Sequence, residues 1–409
     1  MQTDQEMPAG ARRGITIFLC FLVAVLEGFD LQVIGVAAPQ LTRELGLAPQ
    51  EIGWAFGASL IGLAIGALAG GRLADKVGRK PVLVGSVVAF GAATLASSWA
   101  WDYHSLFVLR VLTGLGLGGT FPNVIAIASE VTARARVTIT VASISCGLAV
   151  GGIIVSLMAK LAPGGMDWRG LFLIGGVLPL LVAPALWYFL TETKRAAVRG
   201  HGSRTPIGQA LFGAQQAGPT LMLWIVFALT LLQLSLLLNW LPTLIIAKGF
   251  PPAQAFLTSL VLNIGSIFGS VIAGFLCDRY GARTPMAVGY LAMALVMYLL
   301  SLASDMNILL VLAFWAGFLV LGAQFALYGL APKVYPDQTR GTGVGAAVAA
   351  GRVGAISGPL IAGQMIGAGA TGDQVVLLMV PLALLAGVAL LALAHMAGPR
   401  LRAGGAGVH

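Results

Sequence analysis

The sequence predicts an all-α membrane protein of twelve transmembrane helices in two pseudo-symmetric six-helix halves, and three observations carry that prediction. The 409 residues are 58% hydrophobic and only 10% charged, against about 25% charged in an average soluble domain. A soluble fold of this size cannot hide so much apolar surface. Apolar runs recur along the chain, and at ~1.5 Å per residue each is long enough to cross the ~30 Å of hydrocarbon in a bilayer. A charged loop in the first half also returns in the second. The 55 glycines suit closely packed membrane helices, where small residues let backbones approach.

The spans read in order as 15–38, 51–71, 81–100, 104–129, 137–160 and 168–190, then 219–246, 253–276, 285–303, 306–332, 341–366 and 374–396. The first is too long for a signal-peptide core, carries two acids and is followed by more spans, so it is kept as a helix. Most connections are short. The exception, 191–218, holds Lys194, Arg195, Arg199 and Arg204 with Gly and Pro, and reads as a cytoplasmic linker between halves 1–190 and 219–409. Of the 24 Lys and Arg residues, eighteen fall at the termini and in loops on the amino-terminal side, four on the other side, and two, Arg110 and Arg352, inside spans. That bias predicts both termini in the cytoplasm.

The internal repeat is the strongest organising signal. Gly71-Arg-Leu73-Ala-Asp75-Lys76-Val-Gly78-Arg79-Lys80 returns 203 residues later as Gly274-Phe-Leu276-Cys-Asp278-Arg279-Tyr-Gly281-Ala-Arg283, each between the second and third spans of its half. Parallel halves of this kind occur in secondary transporters, with the substrate site between them near the bilayer midplane. The glycines permit a tight turn, the Asp can face a helix amino terminus, and the basic residues anchor the loop at the interface.

Charges inside spans are expensive, at roughly 2.5 kcal/mol or more each, and so mark ion paths or binding sites. Glu27 and Asp30 are spaced i, i+3 and share one helix face. Asp30 lies about 22 Å from the cytoplasmic end of its span and Arg110 about 9 Å from the opposite end of its own, depths that nearly coincide, so an ion pair between them is possible. Moving the cation away favours proton uptake by the acid, which is the switch a proton-coupled transporter needs; a fixed structural pair is the plainer alternative. By the same arithmetic Glu27 and Arg352 both lie near the midplane. A guanidinium matches a carboxylate with two parallel hydrogen bonds, so Arg352 is the candidate for an anionic substrate, with simple neutralisation by Glu27 as the alternative.

The +9 charge sits in short loops and reads as topology rather than as nucleic-acid binding. Cys20, Cys146 and Cys277 form no CxxC pair, which argues against disulfides and metal sites. Gly114-x-Gly116-x-x-Gly119 fits a dinucleotide fingerprint only as text, since no strand precedes it. His104, His395 and His409 read as incidental. No Walker motif, metal cluster or nucleophile elbow argues for a pump or an enzyme, and no cofactor is expected.

On these residues the chain resembles the major facilitator superfamily over nearly its whole length. Gly71 to Lys80 matches the superfamily's loop signature, and Arg110-Val-Leu-Thr-Gly114 its fourth-helix Arg-x-x-x-Gly element. Glu27-Gly28-Phe29-Asp30 resembles the Asp-Gly-Phe-Asp motif of the aromatic acid:proton symporter family, departing from it by one methylene at Glu27. Asp30-Leu31-Gln32, Asn239-Trp240-Leu241-Pro242, and Gly351-Arg352-Val353-Gly354 through Ser357-Gly358-Pro359 resemble its bacterial 3-(3-hydroxyphenyl)propionate transporters. The resemblance implies a monomeric, proton-coupled importer of an aromatic carboxylate in the bacterial inner membrane, working by alternating access. An exporter or antiporter, an uncoupled facilitator of organic anions and a non-transporting receptor are the alternatives.

Protons would then use Asp30, Glu27 and Arg110. The substrate would meet Arg352, Arg110 and Glu27, flat apolar walls from Phe29, Phe121, Trp240 and Tyr328, and the amides of Asn239 and Gln324, which are costly to bury unpaired. Asp75, Arg79, Glu130, Arg134, Arg136 and Asp278 form the expected cytoplasmic gate.

Overall fold

The computed structural model describes residues 9–132, 136–161, 167–190, 207–213, 216–336 and 339–397. Among them are thirteen helices and no strand: α1 (Ala9–Leu45), α2 (Pro49–Val77), α3 (Arg79–Ser97), α4 (Tyr103–Val131), α5 (Val137–Leu161), α6 (Trp168–Phe189), α7 (Ile207–Phe212), α8 (Ala217–Ala247), α9 (Pro252–Tyr280), α10 (Arg283–Leu302), α11 (Met306–Val334), α12 (Arg340–Gly367) and α13 (Gly372–Met396). Twelve are long and apolar enough to cross a membrane. The exception, α7, has six residues and falls in the predicted connection 191–218.

The helices overrun the predicted spans because backbone hydrogen bonding does not stop where the apolar run does. α1 continues through Gln40, Thr42, Arg43 and Glu44 until Gly46 turns left-handed at φ 64°. α8 is followed in the same way by Gly249 at φ 94°, 203 residues later. The charged loop also turns on glycine in both copies, Gly78 at φ 108° and Gly281 at φ 75°, a region that costs a residue with a Cβ about 1 kcal/mol or more.

Contacts divide the chain into two compact units, Met1–Leu47 with Ala58–Ala197, and Ala48–Gly57 with Val198–His409. The expected halves 1–190 and 219–409 follow the linker; the contacts place the first residues of α2 with the second unit. There a Cβ on Gly53 would stand 2.8 Å from the Pro359 carbonyl oxygen and 3.2 Å from the Gly363 Cα. In the first unit α1 packs along α5, and α3 against α4 and α6. In the second α8 packs along α12, α9 along α11, and α10 against α13 and α11.

Close glycine contacts repeat in register. On α2, Gly62 and Gly66 lie against the Val111 and Leu115 carbonyl oxygens of α4; on α9, Gly265 and Gly269 lie against those of Phe314 and Phe318 on α11. Gly151 of α5 meets the Val25 carbonyl of α1, and Gly354 of α12 that of Ala228 of α8. Every residue of the second set lies 203 positions after its counterpart. One pair is reversed: Gly28 of α1 sits on Leu148 of α5, whereas at the matching positions Leu231 of α8 sits on Gly351 of α12. Helix caps follow the same register, since Asp102 accepts from the Ser105 backbone N–H at the start of α4 and Asp305 from those of Asn307 and Ile308 at the start of α11.

Each unit also carries a charged tie at the end opposite the repeated loop. The Trp168 backbone N–H donates to Gln40 Oε1 at 2.7 Å and its indole to Glu44 Oε2 at 2.5 Å, while Arg169 ion-pairs with Glu44. This joins the end of α1 to the start of α6. Lys248 donates to the Ser301 and Ala303 carbonyl oxygens at 3.1 and 3.0 Å and pairs with Asp373 at 2.5 Å, joining α8 to α10 and α13. Arg169 and Lys248 are two of the four basic residues outside spans on this side, and each has a structural partner besides its topological role.

Candidate functional site

In the first unit α1 lies flush on α5 because Gly28 and Gly151 carry no side chains, and this turns the acids of α1 towards α3 and α4. Asp30 is 1% exposed and Arg110 is fully buried. Arg110 Nη1 stands 3.5 Å from Asp30 Oδ2, and the Thr94 hydroxyl donates to Asp30 Oδ1. Arg110 Nη2 donates to Ser97 Oγ and Thr113 Oγ1, both at 2.9 Å, and its guanidinium carbon lies 4.8 Å from the centre of the Phe172 ring. Its Nε has no partner. The guanidinium is therefore shared between one carboxylate and neutral hydroxyls, so protonating Asp30 would leave it partly satisfied.

Glu27, one helical turn away and 4% exposed, accepts from the Thr120 hydroxyl at 2.8 Å; that hydroxyl also faces the Leu117 carbonyl at 2.6 Å. Phe29 is buried on the same helix. It packs on α6, where a Cβ on Gly175 would lie 2.9 Å from its ring. Phe121 is half-buried on α4.

In the second unit Arg352 is half-buried in the middle of α12, about 18 Å along the helix from Arg340. It makes no ion pair or hydrogen bond among the described residues. Its neighbour Gly351 leaves room for Leu231 and Phe227 of α8, and Phe227 meets Tyr328 of α11 with ring centres 5.6 Å apart. Tyr328 also meets Phe325 at 6.2 Å and is 37% exposed. Asn239 and Trp240 are buried with their donors engaged, Nδ2 on the Ser235 carbonyl at 2.7 Å and the indole on the Pro359 carbonyl at 3.1 Å. Trp240 packs edge-on against Phe56 at 5.3 Å. Gln324, by contrast, has both amide atoms buried and unpartnered.

Of the expected gate, Arg79 at the start of α3 ion-pairs with Glu130 at the end of α4. Asp278 and Arg136 are exposed. Arg134 lies outside the described residues, as does the side chain of Asp75. No group of three or more His, Cys, Asp or Glu able to hold a metal occurs among the described residues.

Sequence reasoning missed Thr94, Ser97, Thr113 and Thr120. Hydroxyls in apolar helices ordinarily bond back to their own backbone, as Ser97 and Thr113 also do here, so type alone does not single them out. It also missed Gln233 of α8, which stands 203 positions after Asp30. Carrying the loop repeat onto the first helix of each half would have found it.

Comparison with known proteins agrees with this architecture. The chain is 40% identical to the 3-(3-hydroxy-phenyl)propionate transporter of Escherichia coli K12, covering 95% of this chain and 96% of that one. It is 35% identical to the 4-hydroxybenzoate transporter PcaK of Pseudomonas putida, covering 93% and 92%, and 34% identical to the gallate transporter of the same species, covering 88% and 87%. Among solved structures, the nucleoside transporter NupG aligns with a TM-score of 0.79 at 17% identity over 93% of this chain and 99% of that one. A D-xylose-proton symporter aligns at 0.74 and 19% over 91% and 96%; at these identities the likeness concerns the fold. The Major Facilitator Superfamily profile matches residues 20–272 and 257–406. With its twelve membrane-spanning helices in two repeated sets, the chain belongs to the Major Facilitator Superfamily, a family of transporters and not of enzymes.

Proposed function

We propose that this protein imports an aromatic carboxylate together with protons, by alternating access, and that the substrate is 3-(3-hydroxyphenyl)propionate or a related hydroxylated aromatic acid. The observation that carries the reading is Arg352, a half-buried cation in the middle of a membrane-spanning helix with no anion of its own among the described residues. Such a charge is costly unless a counter-ion arrives, and a planar fork of donors suits a carboxylate. The aromatic rings of Phe227, Phe325 and Tyr328 close to the same stretch of α12 suit a flat ring. The names of the relatives, all transporters of aromatic acids, support the same substrate class.

Asp30 is the proton site in this reading and Arg110 its switch, with Glu27 a second acid one turn away. The Arg79–Glu130 pair acts in the cytoplasmic gate. The protein works as a monomer in the bacterial inner membrane with both termini in the cytoplasm and needs no cofactor beyond protons. With a monoanion, one proton makes transport neutral; a second would let the membrane potential add roughly 2.3 kcal/mol per 100 mV.

The test is uptake of labelled 3-(3-hydroxyphenyl)propionate into proteoliposomes with and without an imposed pH gradient. Accumulation that follows the gradient, and is lost in Arg352→Ala while the protein stays folded, is the expected result. No gradient-dependent accumulation of any aromatic acid tried would overturn the reading, and exit of substrate against inward proton flow would replace it with antiport.

A further inference from the structure

Three glutamines in the second unit hold buried amide atoms without a partner among the described residues: Gln216 just before α8, Gln233 in the middle of α8 and Gln324 of α11. Gln324 of α11 is 3% exposed with both Oε1 and Nε2 buried and unpartnered; Gln233 of α8 is fully buried, with Nε2 on the Leu229 carbonyl at 3.2 Å and Oε1 unpartnered. A buried polar atom without a partner is destabilising, so two such amides on neighbouring helices call for a ligand. Gln216 lies about 26 Å before Gln233 along the chain of α8 and so stands apart from the other two, while Asn123, Asn239 and Asn263 each donate to a carbonyl of their own helix.

Their placement follows from contacts already described. Tyr328 of α11 meets Phe227 of α8, and Gln324, four residues before Tyr328, shares that helix face. Gln233 occupies the position of Asp30, whose side chain meets α3 and α4 in the first unit; the corresponding helices in the second are α10 and α11. From the Phe227–Tyr328 contact, Gln324 is about 6 Å and Gln233 about 9 Å further along the antiparallel pair, in the same direction. Gly351, beside Arg352, sits level with Phe227 and Leu231.

We infer that Gln324 and Gln233 form a neutral subsite for the ring hydroxyl of the substrate. Measured from the Gly351 level, between Phe227 and Leu231, Gln324 and Gln233 lie about 3 and 6 Å further along, within the distance that separates the carboxylate from the ring hydroxyl of a hydroxyphenyl-alkanoate. A phenol is one donor and one acceptor, and Gln324 presents one of each, with Gln233 Oε1 a further acceptor. Amides carry no charge, so the subsite takes a hydroxyl and not a second carboxylate. This rests on the aromatic-acid reading above.

The experiment measures half-saturation by 3-(3-hydroxyphenyl)propionate and by 3-phenylpropionate in proteoliposomes, for the unaltered protein, Gln324→Leu and Gln233→Leu, together with the melting temperature of each without substrate. The unaltered protein should prefer the hydroxylated acid by about tenfold or more. In each variant the ratio should fall towards one, while the substrate-free melting temperature holds or rises because a stranded polar group has been replaced by a hydrocarbon. A ratio preserved in both variants, or a lowered melting temperature in both, overturns the subsite. Equal affinity for the two acids in the unaltered protein overturns it while leaving the transport reading intact; binding of neither acid sinks that reading instead.

Discussion

The two halves of the molecule share a skeleton and differ in chemistry. The glycine contacts, left-handed turns and acidic helix caps recur at a constant interval of 203 residues, yet the polar interior does not. Where the first half has Glu27, Asp30, Arg110 and Thr120, the second has Thr230, Gln233, Ala313 and Ala323. Thr230 pairs with Tyr290 at 2.6 Å, two hydroxyls in contact where Glu27 brings a carboxyl group to Thr120. Arg352, in turn, matches Ala149. Packing is thus common property of the repeat, while none of the four ionisable groups Glu27, Asp30, Arg110 and Arg352 has an ionisable counterpart in the other half. In the proposed mechanism the first half handles protons, and the second holds the substrate's anionic end and its hydroxyl.

The largest effect that would break this contrast is removal of one partner of the buried pair. Asp30→Ala or Arg110→Ala strands a buried charge and should cost about 3–5 kcal/mol of stability, read as thermal unfolding in detergent. The double variant should recover part of that loss, and additive losses would deny the pairing. Asp30→Asn, which keeps a hydrogen-bonding group beside Thr94, should spare substrate exchange and abolish pH-driven accumulation.

A second comparison tests the shared skeleton. Gly62→Val and Gly265→Val force a side chain into the matching carbonyl contacts, so each should destabilise by about 1–3 kcal/mol and by similar amounts. Unequal losses would show that the repeat is geometric but not energetic.

Smaller still is the surface tie between Arg79 and Glu130. Both side chains are about one-third exposed, so Arg79→Ala should change stability by under about 1 kcal/mol while altering transport rate, measured by initial uptake; an unchanged rate would leave the pair as surface decoration.

The smallest effect concerns Asp102, which lies just outside its membrane span. The Ser105 backbone N–H, helped by the Ser105 side chain, holds its carboxyl below the ordinary carboxylate value. A value depressed by folding means stability that is present above the unfolded pKa of about 3.9 and lost as pH falls through the folded one. Asp102→Asn keeps a capping acceptor but cannot titrate, so its melting temperature should vary less than the parent's between neutral pH and about pH 3. Identical curves would remove the cap from the pH response.

Much of this was legible in the sequence because the bilayer imposes length and polarity limits on every span. The twelve spans and the Asp30–Arg110 pair follow from counting residues against hydrocarbon thickness, and the repeated loop from self-similarity at 203 residues. Partner choice among neutral groups was not legible, since depth arithmetic fixes height and not azimuth. Glu27 was placed level with Arg352, but within its own half it bonds Thr120. Phe29, grouped with the cavity aromatics, turns into α6 because Gly175 leaves a space for it. Asn239 and Trp240 read as available donors, yet each has a carbonyl in reach on a neighbouring turn or helix. Gln324 could be chosen from the cost of burial alone; Gln233 required the repeat.

The reversed contact between α1 and α5 in one half and α8 and α12 in the other has a consequence for building hybrids. Positions 28 and 148 hold Gly and Leu, and positions 231 and 351 hold Leu and Gly, so bulk is constant while its owner changes. Helices exchanged in pairs, α1 with α5 for α8 with α12, bring their own complement. A single exchange sets leucine on leucine where α8 joins α5, or leaves a gap where α1 joins α12. The duplicated halves are therefore interchangeable at this seam only as two-helix modules.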